Sequence, residues 1–340
     1  MGIAAPDSAV TLPLRTSVLA AFGAGPGESA ELLAYNANRF EHARVRAPLA
    51  VPLPPEPHVA AWTEYAQVAA TEGVLPALTP RLVQLAFPIS AGISETPAYR
   101  DATRRGVRPD PAVATGLQLR APEAIQLLLH PSVAGPIPLL VVPDRHDFVA
   151  LVQALSRRNE PQPVPDSMGA CMVGGLNNWD RVRRLRAAWE ADTDTPTEAA
   201  WAAEFARLVP HKSLYQDRLI LVSEGPYSGV SASALGLTDA AWGRLSLLIR
   251  IEHECTHYFT RRVLGGMSNN LLDELIADCM GLIGATGTYP ASWFLHFVGL
   301  EAAPVYRAGG RLENYRGAPP LSDSAFAVLG RLVVAAAEHL

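Results

Sequence analysis

The chain has 340 residues, of which 49% are apolar and 18% are charged, and its formal net charge is −5. This composition excludes an intrinsically disordered chain, which would carry more charge and less apolar mass, and the lack of a basic excess argues against a nucleic-acid partner. No uncharged apolar stretch reaches the ~18 residues of a membrane-spanning helix, so we expect no membrane partner.

The cysteine count and the first residues indicate the compartment. Three cysteines, Cys171, Cys255 and Cys279, are too few and too odd in number for a disulfide framework. Asp7 stands where a secretory leader would carry basic residues, and no clear apolar segment follows it. We therefore expect a cytoplasmic protein without a secretory leader. The sequence leaves the oligomeric state open.

A chain of this length suggests two domains or one large one. Two proline-containing segments could separate domains, Pro48–Pro57 and Asn159–Pro165, and Asn159–Pro165 is the better candidate for the domain boundary. We predict an α+β protein with an N-terminal α/β region of unknown role over residues 1–160. A helix-rich domain with a small sheet is predicted over residues 161–340.

In the first region, turn residues and hydrophobic spacing predict five segments in chain order. They are a helix over Glu28–Glu41, an extended proline-rich stretch over Pro48–Pro57, a helix over Pro122–His130, a buried strand over Ile137–Val142 and a helix capped by Asp144.

In the second region, helix signals dominate. The predicted elements are a helix over Trp179–Ala191 capped by Asn178, a strand over Arg218–Val222, a helix over Asp239–Leu264 ended by Gly265, a helix over Leu271–Ile283 opened by Asn270, and a last helix from Ser322 to His339.

The long helix contains His253-Glu254-Cys255-Thr256-His257, an H-E-x-x-H motif. Residues four apart on a helix lie on one face, so both imidazoles can reach one metal ion. Glu254 follows the first ligand and can take a proton from a metal-bound water, whose pKa zinc lowers to about 7. The motif therefore predicts a metal centre, with Zn²⁺ favoured over Fe²⁺.

The next predicted helix offers a third metal ligand in addition to the two imidazoles. Zinc needs a third protein ligand, and Glu274 follows His257 in the sequence Glu274-Leu-Ile-Ala-Asp278. Glu274 and Asp278 are also four residues apart and share a helix face. We predict Glu274 as the third ligand, and Asp278 as the acceptor of the other ring N–H of a ligating histidine.

HECTH followed by ELIAD resembles the zincin metallopeptidases of the gluzincin, thermolysin-like type. The resemblance implies two helices that cross beneath a cleft. It implies that His253, His257 and Glu274 bind zinc, that Glu254 is the general base and that Asp278 supports a histidine. Other zincin patterns fit worse.

The resemblance covers only residues 218–283. It implies that a strand ahead of the motif helix pairs with an extended substrate, and Arg218–Val222 is the candidate.

The sequence departs from the family pattern in two respects. The position three before the first histidine is Arg250, where the family prefers a small apolar residue. No family motif for an oxyanion donor is present, and the candidates downstream are Tyr289, His296, Tyr306, Arg307 and Tyr315.

Two further features have structural interpretations. Asp144, His146 and Asp147 form an acidic-imidazole cluster that a helix N-cap explains. Cys255 falls about 200° around the helix from its histidine neighbours and is predicted to pack in the core.

Three functions remain open. The first is a zinc-dependent hydrolase, in particular a metallopeptidase, that uses a metal-bound water with Glu254 as general base on a peptide or small-molecule substrate. The second is a non-proteolytic metalloenzyme with a two-histidine, one-carboxylate site for zinc or iron, acting on a small molecule or in a biosynthetic pathway. The third is a non-catalytic protein with a structural zinc site.

Overall fold

A computed structural model describes residues 11–36, 40–45, 48–266 and 271–340. Most of the segment on which the absence of a leader is predicted lies outside these residues, as does Asn270, the predicted start of a helix. Among the described helices, none combines the length and the apolarity needed to cross a bilayer.

The described residues form an α+β protein in which helices dominate. The α-helices are α1 (Thr11–Ala21), α2 (Pro26–Tyr35), α3 (Val59–Glu72), α4 (Val74–Leu78), α5 (Pro97–Arg105), α6 (Arg145–Ser156), α7 (Trp179–Ala191), α8 (Glu198–Leu208), α9 (Asp239–Leu264), α10 (Leu271–Thr286), α11 (Ala291–Val298) and α12 (Asp323–His339). The strands are β1 (Gln126–His130), β2 (Ile137–Val142), β3 (Ala170–Asn177) and β4 (Gln216–Ser223).

Several predicted elements are confirmed. Strand β2 and helices α7 and α9 have the predicted bounds, and Asp144 and Asn178 cap α6 and α7 through their side chains as predicted. The structure also shows Thr238 as the side-chain cap of α9. Helix α2 ends at Tyr35 and is therefore shorter than the predicted helix Glu28–Glu41.

The prediction of a helix over Pro122–His130 is wrong. Only Pro122–Ala124 is helical, as a single 3₁₀ turn, and the rest is strand β1. Residues 126–130 pair antiparallel with β2, so main-chain pairing decides the conformation. A short apolar run is compatible with either structure, and periodicity alone does not distinguish them.

The chain divides into two compact units, one formed by residues 1–49 and 226–340 and the other by residues 50–225. The predicted boundary near residue 160 does not coincide with this division, because it falls inside the second unit. Strand β2 precedes that position and β4 follows it, and the two pair in parallel in one sheet.

The unit of residues 50–225 contains all four strands, in the order β1-β2-β4-β3. Strand β4 pairs in parallel with β2 on one side and antiparallel with β3 on the other. Over Ile220–Val222 both of its edges are occupied, so this part of the candidate segment Arg218–Val222 cannot pair with an extended substrate. A strand can accept a substrate strand only along an unpaired edge.

In the unit of residues 1–49 and 226–340, helices are the only regular elements among the residues described, apart from one isolated β-bridge. Its apolar core draws on both segments of the chain and includes Leu19, Leu32, Ile249, Leu282, Phe297 and Val333. Helix α9 ends at Gly265, whose left-handed φ of 73° suits a residue without a Cβ.

Helices α9 and α10 pack closely within this unit. A Cβ built on Gly281 of α10 would stand 2.8 Å from the carbonyl oxygen of Ile249 and 3.5 Å from Cβ of His253. The missing side chain therefore lets the two backbones approach at the turn of α9 that carries the first motif histidine.

Candidate metal centre

Helix α9 presents the two motif histidines on one buried face. The Nε2 atoms of His253 and His257 lie 3.0 Å apart, and both rings are almost completely buried. One helical turn separates the residues, which is why the rings converge. Two ring nitrogens this close need a shared proton or a common cation between them.

Helix α10 brings a carboxylate to the same point. Oε2 of Glu274 lies 3.4 Å from Nε2 of His253, and Oε1 lies 3.5 Å from Nε2 of His257. Ligands bound tetrahedrally to zinc at 2.0–2.1 Å stand about 3.3–3.4 Å from each other. The three side chains predicted as ligands are thus brought together with nearly the separations that one zinc ion requires.

Besides Glu274, a further carboxylate faces the Nδ1 atom of each histidine. Nδ1 of His253 is 2.9 Å from Oδ1 of Asp278, and Nδ1 of His257 is 3.2 Å from Oδ2 of Asp273. Asp278 lies where the sequence predicts it. Sequence reasoning missed Asp273, which directly precedes Glu274 and lies outside the four-residue spacing of Glu274 and Asp278.

The charges around the histidines favour a cation. Burial alone would lower the pKa of His257, but the neighbouring carboxylates, led by that of Asp273, raise it to about 10. Burial would raise the pKa of Glu274, but the two imidazoles hold it far below its ordinary value. A dication fits a buried site that contains more carboxylates than bases.

Tyr315 contacts this group of donors, and Glu254 directly follows His253 on α9. Tyr315 donates a hydrogen bond of 2.8 Å to Oε2 of Glu274. Burial raises the pKa of Tyr315, the charge of Arg311 opposes this shift, and the charges of Glu274 and Glu254 add to it. Glu254 is only half-buried and accepts no hydrogen bond from the described residues. Its carboxylate is therefore available to a water or a substrate.

Tyr227 and Arg311 complete the surroundings of Asp278. Tyr227 donates a hydrogen bond of 2.6 Å to Oδ1 of Asp278, and Nη2 of Arg311 pairs with Oδ2. Sequence reasoning missed both residues. They lie in short 3₁₀ turns, Tyr227–Gly229 and Arg311–Tyr315, where no periodicity marks a functional face.

Of the five predicted oxyanion candidates, Tyr315 hydrogen-bonds to the centre, whereas the partners recorded for three others lie elsewhere. His296 donates from Nδ1 to the carbonyl of Ser292, Tyr306 donates to the carbonyl of Gly310, and Arg307 pairs with Glu301. The buried hydroxyl of Tyr289 has no hydrogen-bond partner among the described residues.

Other predicted residues have structural contacts. Asp144 accepts from the backbone N–H of Asp147, and Asp147 accepts from Arg120 N and Ala121 N at 2.7 and 2.8 Å. This cluster, which includes His146, therefore organises the start of α6, as the N-cap interpretation predicts. Cys255 is buried in α9, as predicted.

Arg250, the departure from the family pattern, is buried with its guanidinium 5.7 Å from the centre of the Tyr227 ring. The residue thus packs on a side chain of the centre and does not provide a metal ligand. Burial of its aliphatic stem explains how a basic residue fits here.

A family model described as "Family of unknown function (DUF7005)" matches residues 17–340. Neither the curated proteins nor the solved structures contain a match to the chain.

Proposed function

The chain belongs to the DUF7005 family of unknown function, and we propose that it is a zinc-dependent hydrolase, in particular a metallopeptidase. His253, His257 and Glu274 would hold the ion, and Glu254 would be the general base. The resemblance of HECTH and ELIAD to the gluzincin pattern supports the peptide bond as the target.

One observation carries this proposal. Ligand atoms of three side chains from two helices converge with separations of 3.0 to 3.5 Å, and a carboxylate faces the other ring nitrogen of each imidazole. Carboxylates that accept the second ring N–H are typical of histidines that bind metal. Three protein ligands leave a fourth position for water, as in catalytic rather than structural zinc sites.

When bound, zinc would supply a Lewis acid and a water of lowered pKa. Glu254 would accept a proton at its carboxylate and return it to the leaving group. Tyr315 would hold Glu274 in place through its hydrogen bond. A cytoplasmic location remains part of this proposal, and its support is the count of only three cysteines.

The experiment combines metal analysis with two matched glutamate variants. Protein purified without added metal should contain one zinc per chain, and His253→Ala and His257→Ala should lose it. Glu254→Gln should keep the zinc and lose hydrolysis of a peptide library. Glu252→Gln, on the same helix and facing Gly284, should keep both.

Two results would contradict the proposal. Zinc content unaffected by either histidine variant would exclude this centre, and wild-type hydrolysis by Glu254→Gln would exclude the general base. Two histidines and one carboxylate also suit Fe²⁺. Iron in place of zinc in the same analysis would favour the non-proteolytic metalloenzyme.

A further inference from the structure

The side chains that surround Asp278 form a closed hydrogen-bonded network. Asp278 is fully buried, and both of its carboxylate oxygens are engaged. Oδ1 receives the Tyr227 hydroxyl at 2.6 Å and lies 2.9 Å from Nδ1 of His253. Oδ2 pairs with Arg311. A buried carboxylate without such partners would be strongly destabilising.

The direction of each hydrogen bond follows from the donor inventory. Nη1 of Arg311 is only a donor, so it donates to the Tyr227 oxygen at 2.9 Å. The single phenolic hydrogen of Tyr227 is then directed to Asp278. The phenol can offer only its remaining lone pair to other groups.

This arrangement determines which nitrogen of His253 carries the proton. Nδ1 lies 2.9 Å from both the Tyr227 oxygen and Oδ1 of Asp278, and both act there as acceptors. The proton of the neutral ring therefore resides on Nδ1. Nε2 keeps its lone pair and faces His257 and Glu274, as a metal ligand must.

The Tyr227 ring is itself held from several sides. It packs edge-on against Phe297 with centroids 5.0 Å apart, and the Arg311 guanidinium lies 5.2 Å from its centre. Ser228, the next residue, adopts a left-handed φ of 53°, which is unusual outside glycine. Such conformations persist where surrounding contacts maintain them, often at functional sites.

We propose that Tyr227 and Arg311 are positioning residues for the metal centre: together they fix Asp278, which sets the ring orientation and the tautomer of His253. This inference rests on the proposed metal site. It assigns to Arg311 a role distinct from substrate binding, since both of its terminal nitrogens bond within the network.

The test compares Tyr227→Phe and Arg311→Gln with matched controls in the same unit. Tyr289→Phe removes a hydroxyl that has no hydrogen-bond partner among the described residues, and Arg307→Gln removes a guanidinium that pairs with Glu301. Zinc affinity is measured by competition with a chelator, and the coordination geometry by the visible spectrum of the Co²⁺-substituted protein. Circular dichroism of each metal-free variant reports folding.

We expect Tyr227→Phe and Arg311→Gln to weaken zinc binding by about 10–100-fold and to shift the Co²⁺ absorption bands, whereas both controls keep the wild-type affinity and spectrum. A purely structural role would lower the thermal stability of the metal-free protein without shifting those bands. Tyr227→Phe keeps the ring and its packing, so it decides the outcome if Arg311→Gln does not fold.

Two kinds of failure are distinguishable. If the wild type binds zinc, His253→Ala abolishes binding, and both network variants retain wild-type affinity and spectrum, the positioning role is wrong and the metal site stands. If the wild type binds neither Zn²⁺ nor Co²⁺ at His253, the proposed function fails and the positioning role with it.

Discussion

Tyr315 donates a 2.8 Å hydrogen bond to Glu274 from the same 3₁₀ turn that carries Arg311, four residues earlier. Arg311 pairs with Asp278, four residues after Glu274 on α10. Two side chains of one turn thus contact two carboxylates of one helix, in opposite chain order. The contacts fix the proposed third ligand and the carboxylate behind His253 from a single segment.

Removal of the Tyr315 hydroxyl should weaken the positioning of Glu274. In Tyr315→Phe, Glu274 loses a buried donor to Oε2, so its carboxylate is less well oriented. We expect zinc affinity to fall by about 10-fold or more, measured by chelator competition. Tyr289→Phe is the control and should bind as the wild type does. Equal affinities of the two variants would show that Tyr315 does not support Glu274.

The carboxylate behind His257 can be tested separately. Asp273→Asn keeps the shape of a buried side chain whose Oδ2 is 3.2 Å from Nδ1 of His257, but removes its charge. We expect zinc affinity to fall by about 10–100-fold. Asp323→Asn, which alters an exposed ion pair with Arg316, should have no effect on affinity. An unchanged affinity of Asp273→Asn would exclude a role for Asp273 in metal binding.

The close packing of α9 and α10 predicts an asymmetric response to alanine. In Gly281→Ala the new Cβ meets the Ile249 carbonyl at 2.8 Å, and overpacking of this kind costs about 1–3 kcal/mol. Gly243 of α9 has open space around its Cβ position, so Gly243→Ala should raise helix stability by about 0.5–1 kcal/mol.

Urea unfolding measures both free energies. We also expect Gly281→Ala to weaken zinc binding, because it separates His253 from the helix that carries Glu274. If Gly281→Ala is as stable as the wild type, the helices do not require the small residue at this crossing.

Chelation distinguishes a catalytic from a structural zinc site. The unit that contains the centre has a large apolar core formed by both of its chain segments. We therefore expect EDTA to lower the thermal midpoint, because a ligand that binds the native state stabilises it, and to leave the far-UV circular dichroism unchanged. Loss of helical signal on chelation would instead indicate a zinc ion required for folding.

Acid stability should depend on Asp147 in the other unit. Burial would raise the pKa of its carboxyl, but hydrogen bonds from Arg120 N and Ala121 N hold it below the ordinary value of 3.8. A lowered pKa in the folded state contributes stability above pH 3.8, and that contribution is lost as the pH falls through the folded-state pKa.

Asp147→Asn should therefore reduce the free energy of unfolding by about 1–3 kcal/mol near neutral pH, with a smaller difference from the wild type below pH 3.8. Urea titrations at several pH values measure the difference. A deficit that is constant with pH would show that shape, and not charge, accounts for the contribution.

The parts of the fold and of the centre that follow from local periodicity could be predicted from the sequence. The spacing of His253 and His257, and of Glu274 and Asp278, places each pair on one helix face, and the structure brings the faces together. Tyr227 and Arg311 reach Asp278 from irregular turns that lie 51 and 33 positions away in the chain. Only the tertiary fold establishes such contacts.

Long-range pairing also explains the errors in the sheet. Strand β1 was predicted as helix because its partner, β2, cannot be identified from the five residues Gln126–His130 themselves. The edges of β4 are occupied by strands from both sides of the predicted boundary near residue 160. Register and strand order depend on the whole sheet, and the sequence of a single strand specifies neither of them.

The division of the chain also bears on the order of folding during synthesis. Residues 50–225 are contiguous, and domains generally fold as units as the chain emerges. The unit that contains the candidate metal centre instead combines α1 and α2 with residues after 225, and Tyr35 donates a 2.5 Å hydrogen bond to the carbonyl of Tyr315. Helices α1 and α2 can complete their packing only after more than half of the chain has been made. The complete candidate centre therefore forms only after translation of the Arg311–Tyr315 turn.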